Sequence, residues 1–226
     1  FSRRRCVSRF QGKVVLVTGG GSGQGAETCR LFAAEGADVA VADWNGDAAR
    51  AVADEIGGRA IVVDVSREAE VKQMVESAAQ PAGRLDILVN AAGVCPRVPA
   101  LGTSDGELAD TFAVNVYGTF YLCTAAVPHM QKPEVQRSGG GRIVNFGSVA
   151  GLRARPGLPV YAAAKAAVPN LTQSFAADWA PLGIRVNVVV PGQYDTDMGA
   201  SLMNNPEALA AYVKKMPMGR VGSPEE

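Results

Sequence analysis

Apolar, β-branched runs recur along this chain, separated by stretches of a different period. Val14 to Val17, Val39 to Val41, Ala60 to Val63, Ile87 to Val89, Ile143 to Phe146 and Ile184 to Val190 show little apolar–polar alternation. That pattern predicts strands buried on both faces, as in a parallel sheet covered by helices. Between them, Gln24 to Glu35, Asp47 to Ile56 and Arg67 to Ala79 combine alanine and charged residues with apolar positions at helical spacing, the pattern of amphipathic crossover helices. Repeated βαβ units predict an α/β fold with a doubly wound parallel sheet and helices on both faces. Ligands of such folds lie beyond the carboxyl ends of the strands. Asp43, Asp64, Asn90, Ser148 and the Pro191-Gly192 turn all follow a predicted strand.

The first strand runs into Thr18-Gly19-Gly20-Gly21-Ser22-Gly23-Gln24-Gly25. Here the chain must turn sharply, let a pyrophosphate approach its backbone and start a helix whose N–H groups face the anion. Glycines at 19, 23 and 25 meet those needs, and the flanking strand and helix separate this loop from an ordinary tight turn. At the end of the second strand Asp43 is placed to accept hydrogen bonds from ribose hydroxyls and to repel a 2′-phosphate, which favours NAD over NADP. Trp44 follows it where a basic residue would favour the phosphate, and the glycine loop holds no arginine or lysine. The alternative is that Asp43 only caps the helix beginning near Asn45. Further on, Tyr161 and Lys165 are spaced four apart in a helix-compatible stretch, with Ser148 upstream. One helix face then carries both side chains, so that the ammonium is expected to lower the pKa of the phenol and fit it for acid–base work.

Composition narrows the field. With 226 residues, 47% of them hydrophobic, and no linker-like segment, the chain predicts one catalytic domain from residue 12 onward, preceded by a basic arm over residues 1–11. That arm, with Arg3, Arg4, Arg5 and Arg9, resembles the end of an organellar presequence and equally a basic tail. Lys plus Arg and Asp plus Glu balance at 22 each, so no global field is available for a nucleic acid or an anionic membrane, and neither partner is expected. Cys6, Cys29, Cys95 and Cys123 form no metal-binding spacing, and His129 is the one histidine; no metal is expected, and all four thiols read as structural. Their spacing fits a reducing compartment, the cytoplasm.

Several motifs, in order, resemble the short-chain dehydrogenase/reductase family in its NAD-preferring branch of roughly 250 residues, from about Gly12 onward. They are the Thr18–Gly25 loop, Asp64-Val65, Asn90-Ala91-Ala92-Gly93, Asn115, Ser148, Tyr161-Ala-Ala-Ala-Lys165, and Pro191-Gly192 followed by Thr196. The resemblance implies a Rossmann-like sheet. It implies that Gly19, Gly21, Ser22, Gly23, Gln24, Gly25, Asp43 and Trp44 line the cofactor site. It further implies that Asp64 and Val65 hold adenine, that Asn90, Ala91 and Gly93 shape the cleft, and that Tyr194 and Thr196 contact the carboxamide beside Pro191 and Gly192. Ser148, Tyr161, Lys165 and Asn115 are the implied catalytic set: Ser148 on the substrate oxygen, Tyr161 exchanging its proton, Lys165 on the nicotinamide ribose, and Asn115 holding a water beside the lysine. Taken singly, each has an ordinary reading; Asn115 in particular would satisfy local backbone.

Cys95, Val149, Leu158, Tyr194, Met198, Leu202 and Met203 are expected to face the substrate, a mostly apolar group suited to a secondary alcohol or ketone. Arg97, Arg153 and Arg155 are alternatives for a carboxylate or phosphate, with solvent exposure or a subunit contact as their ordinary fate. Pro169 is expected to kink the helix after its catalytic turn. The family normally continues past Glu226 with a helix and a final strand, so the resemblance implies a sheet of six strands and a homo-oligomer, dimer or tetramer, through the helices around Thr111 to Met130 and Tyr161 to Trp179. Two other readings stand beside the NAD-dependent dehydrogenase: an NADP-dependent 3-oxoacyl reductase, which Asp43 disfavours, and a cofactor-binding protein without catalysis.

Overall fold

The computed structural model describes residues 8–226, so Cys6 and Arg3 to Arg5 lie outside the described residues. Six strands form one parallel sheet: β1 (Val14–Thr18), β2 (Asp38–Asp43), β3 (Arg59–Val62), β4 (Ile87–Asn90), β5 (Arg142–Phe146) and β6 (Arg185–Val189). Their order is β3-β2-β1-β4-β5-β6, and all five pairings are parallel. The expected strands are all present, with ends shifted by one or two residues.

Burial follows position in the sheet. Every residue of β1 and β4 is buried, whereas the outer strands β3 and β6 alternate between covered and open positions. Alternate residues of β1 supply two separate cores, since successive side chains of a strand point to opposite faces. Val15 and Val17 pack with Cys29, Ala49 and Val52 beneath α1 (Gly23–Ala34) and α2 (Gly46–Ile56). Val14 and Leu16 pack with Met74, Leu122 and Phe175 beneath α3 (Glu68–Ala79), α5 (Gly118–Met130) and α7 (Pro159–Trp179).

The segment preceding α5 departs from the simple helix expected around Thr111 to Met130. After α4 (Asp105–Phe112), opened by a capping box of Ser104 and Glu107, the chain makes a π-helical turn over Ala113–Tyr117 before entering α5. Helix α7 is unbroken from Pro159 to Trp179 despite Pro169. A short helix α6 (Pro133–Arg137) precedes β5, and α8 (Ala200–Met203) and α9 (Pro206–Val213) follow β6. Residues 8–11, expected within the arm, dock on α1: the Phe10 N–H donates to the Glu35 carbonyl at 3.1 Å, and the rings of Phe10 and Phe32 lie 4.8 Å apart edge to face.

Chain order reverses between β1 and β4, which are neighbours in the sheet. Two loops leave that point side by side: Gly19 onward after β1, and Ala91 onward after β4. A Cβ on Gly19, at φ +66°, would lie 2.7 Å from the Ala92 nitrogen, so the two backbones meet at a distance that only glycine permits.

Candidate active site

The glycine loop is built to leave donors free. A Cβ on Gly25 would fall 2.0 Å from the Gly19 carbonyl oxygen, so the first turn of α1 closes onto the end of β1. Ser22 at the N-cap makes no side-chain capping bond, and no acid stands in the first turn of α1. By contrast, Asn45, Ser104 and Asn205 cap α2, α4 and α9. The first turn of α1 is therefore left without a side-chain cap or an acid, an arrangement suited to an anion.

That end of α1 opens into a cavity of about 610 Å³ lined by Gly19, Ser22, Gly23, Gln24 and Gly25, with Asp43 and Trp44, Asp64 and Val65, and Ala91 to Val94 farther along. Its size lies within the ordinary range for ligand pockets, about 300 to 1,000 Å³. Asp43 does more than face this cavity: its Oδ2 accepts from the Gly21 N–H at 3.0 Å and its Oδ1 from the Asn45 N–H at 3.0 Å. It thus fixes the glycine loop from across the sheet edge, while the capping of α2 falls to Asn45. Gly21 spends its N–H on that contact and does not line the cavity. Trp44 is 82% exposed at the rim. Asp64 bonds to the Ser66 N–H and hydroxyl and pairs with Arg67; burial works against its ionisation, but these partners hold its pKa below the usual carboxylate value.

Asn90 is placed differently from expectation. It lies beneath the cleft, 3% exposed, lines neither cavity, and donates from Nδ2 to Asn145 Oδ1 at 2.8 Å. Asn90 and Asn145 occupy registered positions on β4 and β5, which gives their side chains one face of the sheet. Asn145 Nδ2 then reaches Thr172 of α7 at 2.9 Å. The sequence signal for this contact was only a polar residue inside an apolar strand; the partner follows from register.

A smaller cavity, about 130 Å³, continues from the first through Gln24, Ala91, Gly93, Phe146, Thr196 and Met198, which line both. It gathers Ser148, Tyr161 and Lys165, with Pro191, Gly192 and Tyr194 on the opposite chain segment. Cys95, Val149, Leu158, Tyr194 and Met198 line it as expected; Leu202, Met203 and Arg153 do not, while Gln193 joins it from within the Pro191–Thr196 motif and Tyr212 from a segment with no motif to mark it.

Tyr161 is 8% exposed and Lys165 5%. The expectation that Lys165 lowers the pKa of Tyr161 is corrected here. Burial pushes the phenol above its ordinary value, while the Ser148 hydroxyl draws it down. Lys165 Nζ instead donates to the Phe146 carbonyl at 2.8 Å, and burial pushes its pKa down to about 8. Asn115, in the π-turn, flanks the same point: a Cβ on Gly93 would lie 2.8 Å from Asn115 Oδ1 and 3.4 Å from Lys165 Nζ. The Asn115 side chain is spent on backbone. Its Nδ2 donates to the Val94 and Thr111 carbonyls, both at 2.9 Å, and its Oδ1 accepts from the Val94 N–H at 3.3 Å.

A parallel sheet with a free helix N-terminus at its chain reversal and a wide cavity across its carboxyl edge defines a dinucleotide-binding α/β protein. A short chain dehydrogenase profile matches residues 13–207, and the chain belongs to that family. It is 39% identical over 227 residues to a galactitol 2-dehydrogenase (L-tagatose-forming) of Cereibacter sphaeroides, covering 98% of this chain and 87% of that protein. It is 38% identical over 221 residues to a meso-2,3-butanediol dehydrogenase of Serratia marcescens, covering 96% and 85%. A 3-ketoacyl-(acyl-carrier-protein) reductase from Brucella melitensis, solved with NADH, superposes with a TM-score of 0.86 at 33% identity, covering 95% of this chain and 87% of that one. The protein is accordingly an oxidoreductase of a family that binds a nicotinamide cofactor.

Proposed function

We propose that the protein transfers a hydride between NAD(H) and a secondary alcohol or ketone, with Ser148, Tyr161 and Lys165 as its proton-transfer site. One observation carries this reading: the cavity holding these three side chains is continuous with the cavity lined by the glycine loop and Asp43. When bound, the cofactor supplies or accepts the hydride. Ser148 donates a hydrogen bond to the substrate oxygen. Tyr161, kept protonated by burial, gives its proton to that oxygen in reduction and takes it back in oxidation. Lys165 holds a positive charge behind the phenol at neutral pH and loses it above about 8. Asn115 fixes the Val94 segment that forms one wall. Asp43 argues for NAD, since a 2′-phosphate would meet a carboxylate already locked in place.

The assembly belongs to the same proposal. Phe120, Tyr117 and Leu108 stand exposed on α5, the π-turn and α4, and Phe120 touches the stacked pair Phe175 and Trp179 of α7. A second copy of this chain would cover that face.

Turnover of butane-2,3-diol and related secondary alcohols with NAD, by the wild-type protein and by Tyr161→Phe, tests the chemistry. Loss of a general acid–base group costs on the order of 10² to 10⁴ in rate. The variant is expected to lose turnover to that degree while NADH fluorescence titration shows unchanged binding. Ordinary turnover by Tyr161→Phe would end the assignment.

A further inference from the structure

We infer that the substrate carries an anionic oxygen-acid group, a carboxylate, sulfonate or phosphate monoester, and that Arg155, with Arg97, holds it in the smaller cavity. The inference rests on the hydride-transfer reading above and names the class of substrate for the same site.

The lining of that cavity includes Arg97, Arg155 and Lys165 and no aspartate or glutamate. Elsewhere Arg30 pairs with Glu55, Arg59 with Asp38, Arg67 with Asp64 and Arg220 with Glu226, whereas among the described residues Arg142, Arg153 and Arg185 form no ion pair and none of these three lines the cavity. Among the described residues neither Arg97 nor Arg155 has a carboxylate within 4.0 Å, although acids equal bases in number along the chain.

Arg155 is also held in position. It is half-buried; its Nη2 donates to the Tyr212 hydroxyl at 3.2 Å, and its guanidinium lies 5.0 Å over the Tyr212 ring. Both contacts orient the group and neither supplies a counter-charge. A fixed guanidinium keeps parallel N–H donors for two oxygens of one oxyanion, and part of the ordering cost is met before the ligand arrives. The charges converge on the reacting end of the cavity: Arg97, Lys165 and Arg155 all draw down the Cys95 thiol against its burial, and Arg97 does the same to the Tyr161 phenol. Arg153, on the same loop as Arg155, does not line the cavity and serves as its control.

The test compares NADH-dependent reduction of acetoacetate and levulinate with that of their methyl esters, which differ from the acids in charge. The wild-type protein is expected to favour the acids in kcat/KM by about tenfold or more. Arg155→Gln should collapse that acid-to-ester ratio to about twofold or less, chiefly through a raised KM for the acids, and Arg153→Gln should leave the ratio in place. Esters reduced as well as the acids by the wild type, or an acid preference that survives Arg155→Gln, would overturn the inference. Calorimetric titration of levulinate into the wild type and Arg155→Gln, each with NADH present, separates the two readings. Binding that Arg155→Gln abolishes, without reduction of any ketone, sustains the anion site and removes the hydride-transfer reading. Equal binding by the two proteins, or none by either, removes the anion site.

Discussion

The Tyr161 phenol sits where ionisation is opposed. Burial removes water from it and raises its pKa, the Ser148 hydroxyl and Arg97 act in the other direction, and Lys165 is turned toward the Phe146 carbonyl. Spacing of four residues on a helix was enough to bring phenol and ammonium to one cavity. It could not show that a strand carbonyl would take the ammonium, because Phe146 meets Lys165 only through the packing of α7 on β5. Lys165, pushed to about 8 from 10.5, loses its proton before the phenol does. The unfolded chain keeps that proton over the window between those values, so the stability penalty of burying Lys165 is full below about pH 8 and is relieved as pH rises to 10.5. For Tyr161 the expected outcome in the cofactor-free protein is a phenolate that appears only above the ordinary tyrosine value of 10. The ultraviolet difference between wild type and Tyr161→Phe across a pH titration measures it. A Tyr161 phenolate near neutral pH would contradict this balance of forces.

Elements were legible where one local rule governs them. The central strands read as unbroken apolar runs because both of their faces are covered, and α1 to α3 read from their periodic apolar positions. The π-turn at Ala113–Tyr117 has no such signature: its geometry serves the bonds from Asn115 to the Val94 segment, 21 residues earlier. The ladder Asn90–Asn145–Thr172 was equally hidden, since it needs the register of β4 against β5 and the placement of α7. It ties the strand that leads into the cleft to the helix bearing Tyr161 and Lys165. Asn145→Ala would leave the Asn90 amide with only the weak acceptor Cys123 Sγ at 3.4 Å, a loss of about 1 to 3 kcal/mol, while the Thr172 hydroxyl keeps its bond to the Val168 carbonyl at 2.8 Å. Urea unfolding should therefore show a loss of about 1 to 3 kcal/mol. A loss under about 0.5 kcal/mol, the range of a surface change, would show that the ladder adds nothing.

At the scale of the whole molecule, the order β3-β2-β1-β4-β5-β6 sets the two cavities side by side. The chain reversal between β1 and β4 sets the Gly19 and Ala91 loops side by side, β5 delivers Ser148, and α7 lays Tyr161 and Lys165 against that edge. The order of motifs along the chain made this arrangement predictable. The wall contributed by Tyr212 was not, because α9 carries no motif that ties it to the site. Among the described residues no helix is long and apolar enough to cross a membrane.

Transfer of deuterium tests the central claim most directly. The protein would be given NADH or NADPH carrying deuterium at both C4 positions of the nicotinamide, in separate reactions, with acetoin, levulinate and their homologues as ketones. Mass spectrometry of the alcohols should find one deuterium on the carbinol carbon, delivered from NADH about tenfold faster or more than from NADPH, as a locked Asp43 requires. Alcohol products without deuterium would contradict hydride transfer at this site, and equal delivery from the two cofactors would contradict selection of NADH by Asp43.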